Sequence, residues 1–173
     1  MSYKVLVINR VKFLVSSAKI LHIFLLIGYD LIGGDNFMIY TYKELKMEYG
    51  RRNNIFREAY YNFFSLFEDL YNPEDIKFIY LKNLFNSKEV ETFFFFENKV
   101  VKVTKSNLHY NFEEFIHGNI KKFLYASEGF EREVQLKLFF DDQTELLFDN
   151  YEDSNPDWYW EYGQEIKELF KLL

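Results

Sequence analysis

The residues with the most chemical reach are three histidines and a set of carboxylates. His109, Glu113 and His117 are spaced by four. On a helix that spacing stacks all three on one face, where they could hold a metal or exchange a proton. The flanking residues Leu108–Phe112 alternate instead like a strand, which takes the three apart. The pairs Glu113-Glu114 and Asp141-Asp142 would supply acid and base only if they converged, and neighbours on a strand point to opposite faces. Asp141-Asp142 reads better as a turn between two strands. Asp153-Ser154-Asn155-Pro156-Asp157 matches the opening ligand positions of a calcium loop, but Trp158 stands where glycine is required and Gln164 where the bidentate glutamate belongs. Capping of a following helix accounts for the same residues. No His-Glu-x-x-His, phosphate loop or nucleophile elbow occurs, so the reading assigns no catalytic residue, metal ligand or cofactor.

The remaining candidate is a contact surface. Tyr151, Glu152, Asp153, Asp157, Tyr159, Trp160 and Glu161 crowd aromatic rings among carboxylates in one short stretch. Aromatic anchors inside an acidic rim compose an interface for a basic protein partner.

Composition bounds the alternatives. The 173 residues suit one domain with an appendage, and 49% are hydrophobic, enough for a core. Phe and Tyr number 21 and 14 against seven Gly and two Pro. Phe, Tyr, Ile, Asn and Lys have A/T-rich codons, so the aromatic excess reflects an A/T-rich genome, that of a bacterium or its phage, before it reflects function. Net charge is −6. It becomes more negative without residues 1–37, where Lys4, Arg10, Lys12 and Lys19 outnumber Asp30 and Asp35. Such a body repels phosphate, which disfavours nucleic acid as a primary partner. The absence of cysteine removes disulfides, thiolate chemistry and Cys-type zinc sites.

Residues 1–37 read as a leader distinct from a globular domain at 38–173. Ile32-Gly33-Gly34-Asp35 can be encoded by a strong bacterial ribosome-binding sequence, followed by a short spacer and Met38. Translation is therefore expected to start at Met38, with residues 1–37 as upstream sequence read in frame. If they are translated, the apolar run Ile20–Tyr29 is a membrane anchor too short to span cleanly. The rest reads as cytoplasmic.

Within the domain, Thr41 and Glu44 have capping-box spacing ahead of a short helix that Gly50 would end. A longer helix starts near Asn53 or Asn54, with Phe56, Tyr60, Phe63, Phe64, Phe67, Leu70 and Tyr71 as its buried stripe. After Pro73 the period becomes alternating. Strands are predicted at 76–82, 90–96, 100–105, 108–112, 120–126, 134–140 and 144–149, with hairpins around 97–99 and 141–143. Residue 108–112 has a helical turn over 111–117 as its alternative. The four phenylalanines Phe93–Phe96 would send two rings to each face of a strand, so both faces need cover. Asn155 as N-cap and Pro156 at N1 open a final helix. Its buried stripe is Trp158, Tyr162, Ile166, Leu169, Phe170 and Leu173; Glu161, Glu165, Lys167, Glu168 and Lys171 take the other side.

The expected class is α+β: one or more N-terminal helices, a six- to seven-stranded antiparallel meander, and a closing amphipathic helix. Over residues 74–173 this order of elements resembles the pleckstrin-homology-like barrel. The resemblance implies a closed barrel; the basic strand-loop of inositol-phosphate binders has no counterpart, since Lys102, Lys105, Lys121 and Lys122 are scattered. The functional expectation is a small non-catalytic protein-binding module. Alternatives are an acidic inhibitor, such as an immunity protein or phage-encoded blocker, and an enzyme using the histidines and nearby carboxylates.

Overall fold

A computed structural model describes residues 6–8, 11–13, 40–51, 63–106, 109–116, 118, 120–127 and 132–173. The chain divides into two compact units, Met1–Asp35 and Asn36–Leu173. In the first, β1 (Leu6–Ile8) pairs antiparallel with β2 (Val11–Phe13). The apolar run Ile20–Tyr29 lies outside the described residues. Among those residues no helix is long and apolar enough to cross a membrane.

The second unit opens on α1 (Tyr42–Arg51). Its predicted box is formed: the Thr41 N–H donates to Glu44 Oε2 at 2.8 Å and the Glu44 N–H to Thr41 Oγ1 at 3.3 Å. The Thr41 N–H, with the Thr41 hydroxyl that also donates to Oε2 at 2.8 Å, holds the Glu44 carboxyl below its ordinary range. Helix α2 occupies 63–70; its expected start at Asn53 or Asn54 lies outside the described residues. Phe63, Phe64 and Phe67 are buried as the stripe requires, but Leu70, expected inside, is exposed. Asn72 ends the segment by accepting the Glu74 N–H at the start of the 3₁₀ turn Pro73–Asp75.

Seven strands follow: β3 (Phe78–Lys82), β4 (Glu91–Phe95), β5 (Lys99–Ser106), β6 (His109–Ile116), β7 (Lys121–Ala126), β8 (Val134–Phe139) and β9 (Glu145–Asp149). The last element is α3 (Tyr159–Leu172). The α+β class is as expected; the closed barrel is not. The strands form two antiparallel sheets, β3-β4-β5-β6 and β7-β8-β9. No ladder joins β6 to β7, and Phe115 instead packs against Phe140 at 5.4 Å between ring centroids. Side-chain packing takes the place of the hydrogen bonds that would have closed a barrel.

The phenylalanine run explains the layering. Phe94 meets Phe67 at 4.4 Å and Phe63 at 6.3 Å on the helical side, while Phe93 and Phe95 meet Phe148 at 5.0 and 6.0 Å on the other. The four-stranded sheet is thus covered on both faces, by helices and by the three-stranded sheet with α3. Both hairpins form where expected. The second contains Gln143 at φ 69°, a left-handed conformation that a side chain disfavours. Residues 109–116 are strand throughout, so the helical turn considered for 111–117 does not occur within them.

Helix α3 corrects three expectations. It begins at Tyr159, after Trp158 and with no side-chain cap. Asn155 closes the preceding turn instead, accepting the Asp157 N–H on Oδ1 at 2.9 Å and the Trp158 N–H on its carbonyl at 3.0 Å. Trp158 is only half-buried, and Glu165, assigned to the polar side, is buried beside Tyr162 and Ile166. Gly163 sets how closely the helix approaches β8. A Cβ there would lie 3.3 Å from Val134 Cγ2 and 3.4 Å from Asn150 Nδ2.

Candidate functional site

The segment from β9 to α3 carries all seven predicted contact residues, and its backbone is held from several sides. Asp149 is buried at the end of β9. Its Oδ1 accepts the N–H groups of Tyr151 (2.9 Å) and Glu152 (3.1 Å), and its Oδ2 accepts Gln135 Nε2 (2.7 Å). That arrangement is an aspartate-closed turn, a local alternative to continuing the strand. Asn150, fully buried, accepts the Val134 N–H at 2.8 Å and donates to the carbonyls of Arg132 and Tyr159, both at 2.9 Å. One side chain therefore ties β8, the loop and the first turn of α3. Ser154 Oγ donates to the Asn150 carbonyl.

Asp153 is the main correction within the predicted set. Expected on the surface, it is wholly buried, and it organises the loop rather than facing a partner. Its Oδ2 accepts Tyr80 Oη at 2.9 Å and the Asp149 N–H at 3.0 Å. Lys82 Nζ stands 3.1 Å from Oδ1 as a charge contact without an aligned hydrogen bond, and also donates to the Leu147 carbonyl at 2.7 Å. Burial pushes the Asp153 carboxyl up, against the opposing pull of Lys82, the Asp149 N–H and Tyr80. Burial and then the Asp153 charge push the Tyr80 phenol well above its usual range. The sequence could not announce this hub, because Tyr80 and Lys82 lie about seventy residues away and read as ordinary strand positions.

The other six residues remain at the surface to differing degrees. Tyr151 and Tyr159 stack in parallel, centroids 5.1 Å apart with planes 7° from each other. Trp160, the next residue along α3, is 43% exposed. Glu152 is exposed and ion-paired to Lys88 at 2.7 Å; its hydrogen bond and charge raise the Lys88 pKa, and Lys88 lowers that of Glu152. Asp157 is exposed. Glu161 is half-buried, with Oε2 enclosed and lacking a hydrogen-bond partner. Trp158 stacks on Phe85 at 4.5 Å and 10°, while Asn155 Nδ2 donates to the Phe85 carbonyl at 2.9 Å. The 83–88 loop thereby braces the segment from outside. Asn83, at φ 66°, donates its N–H to the Asp153 carbonyl at 2.9 Å.

Of the histidine candidates, His109 and Glu113 are described, and they do not converge. His109 and Glu113 share one face of β6, but four residue steps along the strand separate them by roughly 13 Å. His117 lies outside the described residues. Among those residues no group of three His, Asp or Glu side chains is placed to hold a metal ion.

A surface cleft of about 460 Å³ had no sequence signal. Tyr71, Asp75, Lys77, Phe96 and Lys99 are among the residues that line it. Lys99 lies 4.6 Å from the Tyr71 ring centroid and pairs with Glu114 at 3.0 Å. Burial, followed by a hydrogen bond to Glu114, pushes the Tyr71 phenol up to about 12.

Residues 41–164 match the family described as a protein of unknown function, DUF3908. The chain belongs to this family. The matched span runs from the Thr41 cap into α3 and takes in the whole Asp149–Glu161 segment, so the braced aromatic loop is part of the DUF3908 domain. No curated protein and no solved structure matches the chain.

Proposed function

We propose that this DUF3908 chain is a non-catalytic protein-binding module, acting in the cytoplasm of an A/T-rich bacterium or in a phage-infected cell. Its contact surface is the ridge of Tyr151, Tyr159 and Trp160, with Glu152, Asp157 and Glu161 around it, and its partner presents basic residues. The observation that carries this reading is the parallel Tyr151–Tyr159 stack, followed in sequence by exposed Trp160, at a loop held by Asp149, Asn150 and Asp153. Rings already held in place lose little freedom on binding, which is how aromatic residues become the dominant contacts of an interface. A sharper form of the reading makes the chain an acidic antagonist that covers a basic protein.

The test is affinity capture with the full chain, comparing the parent with Tyr159→Ala/Trp160→Ala and with Asp157→Lys. A captured basic protein that is lost with the double variant, and released progressively as salt rises, supports the reading. Retention of the same partner by the double variant would place the interface elsewhere.

A further inference from the structure

Strand β7 is the edge of its sheet, hydrogen-bonded on one side to β8. Leu124 and Lys122 face the core side, while Phe123 is 61% and Tyr125 56% exposed. Register places Phe123 next to Lys137 and Leu147, and Phe139 packs edge-on against Phe123 at 5.7 Å. The outer face of this sheet is therefore aromatic, beside an edge whose backbone pairs with no other strand among the described residues.

The other edges of these two sheets carry more polar or already bonded groups, although Ile116 at the end of β6 is exposed too. Strand β6 bears exposed His109, Asn111, Glu113 and Glu114. Beyond β3, the Asn83 N–H is bonded to Asp153, and on β9 the Leu147 carbonyl is taken by Lys82. Lysines are common edge guards, but of the two in β7, Lys122 is turned under to the Phe170 carbonyl at 2.8 Å. An edge left apolar is a template for another strand.

We propose that β7 is a self-association edge: two copies of this chain pair antiparallel along 121–127 about Leu124, joining their three-stranded sheets into one of six strands. The aromatic pattern, self-complementary about Leu124, selects a second copy as the occupant, and the charge pattern selects the direction. About a two-fold axis at Leu124, Phe123 lies opposite Tyr125 of the other copy, Lys122 opposite Ala126 and Lys121 opposite Ser127. No like charges meet. The two Lys121 side chains stand roughly 20 Å apart at about 3.4 Å per residue, beyond the screening length of about 8 Å at physiological salt. Parallel pairing would set them side by side. Each two-fold pairing yields two cross-strand Phe–Tyr contacts on the outer face, and the isologous arrangement closes at a dimer. A single added strand covers less than the roughly 800 Å² per partner of a standard interface, so the dimer is concentration-dependent rather than permanent.

Sedimentation velocity of the full chain, from micromolar to millimolar concentration, reads the association. The expected result is a monomer–dimer equilibrium that Phe123→Lys/Tyr125→Lys abolishes with its unfolding transition unchanged, since both rings are largely exposed in one copy. The chain has no cysteine, so Leu124→Cys reports the axis directly. Residues opposite one another across an antiparallel pair have Cα atoms about 4.5–5.5 Å apart, within disulfide reach, and mild oxidation should yield a covalent dimer. A parent that stays monomeric throughout, or a dimer that persists in the double lysine variant, would overturn the proposal.

Discussion

Replacing Asp153 with alanine tests whether the aromatic loop is held from within. In the parent, one buried carboxylate receives Tyr80 Oη, the Asp149 N–H and the charge of Lys82, at 2.9, 3.0 and 3.1 Å. Asp153→Ala strands all three at once: a buried phenol, a strand-end N–H, and an ammonium whose side chain is only 21% exposed. Breaking a buried charge pair by deleting one member costs about 3–5 kcal/mol, chiefly because the other is left uncompensated. The upper half of that range applies if Lys82 keeps its bond to Leu147 and cannot swing into water. Tyr80→Phe removes one hydrogen bond to a charged acceptor and leaves the others, so about 1.5–3 kcal/mol is expected. Urea unfolding of the parent, both single variants and the double variant closes a cycle. The double variant should be more stable than the sum of the single losses predicts, because the Tyr80–Asp153 bond can be lost only once. For a chain of this size each kcal/mol moves the midpoint by about 2–4 °C, so thermal unfolding gives an independent reading. An Asp153→Ala cost within the roughly 0.5 kcal/mol of an ordinary surface substitution would refute the argument that Asp153 organises the loop.

Glu165 offers a test by pH. Burial, then the charge of Glu161, raises its carboxyl well above the ordinary value. The folded state therefore keeps a proton that the unfolded chain has released, and stability falls as pH rises from the ordinary glutamate range through the folded pKa. Glu165→Gln should be the more stable protein at alkaline pH, with the gap closing on acidification; a gap that widens on acidification contradicts the assignment. At the β8–β9 turn, Gln143→Gly should gain about 1 kcal/mol by relieving a side chain at positive φ, and chemical denaturation showing a loss would mean the Gln143 side chain matters more than its backbone. Trp158→Ala forfeits the Phe85 stack and should cost about 1–3 kcal/mol for a half-buried ring, whereas Trp160→Ala should leave stability nearly unchanged. Equal losses in the two would show that the outward assignment of Trp160 is mistaken.

The sequence by itself determined the local order: the Thr41 box, the break at Asn72-Pro73, six strands near their observed limits, both hairpins and a terminal amphipathic helix; the strand at His109–Ile116 it ended at Phe112 and left open to a helical turn. Each follows from interactions within a few residues, which a chain carries wherever it folds. It also determined that the sheet holding Phe93–Phe96 needed cover on both faces, since alternation sends bulky rings each way. What it left open was which elements close on one another and which face of an ambiguous strand turns inward. In β7 both alternating sets contain apolar residues, Leu124 on one and Phe123 and Tyr125 on the other, so periodicity gives no preference. Packing with β8 and α3 decided it, and left the aromatic set outside. The open edge between β6 and β7, against the closure implied by the order of elements, arises in the same way from Phe115 and Phe140 packing between the sheets. Asp153 is the sharpest case. As one acidic residue among several in a polar loop it belonged on the surface, and only the arrival of Tyr80 and Lys82 from a distant strand supplied the donors and charge that make its burial tolerable.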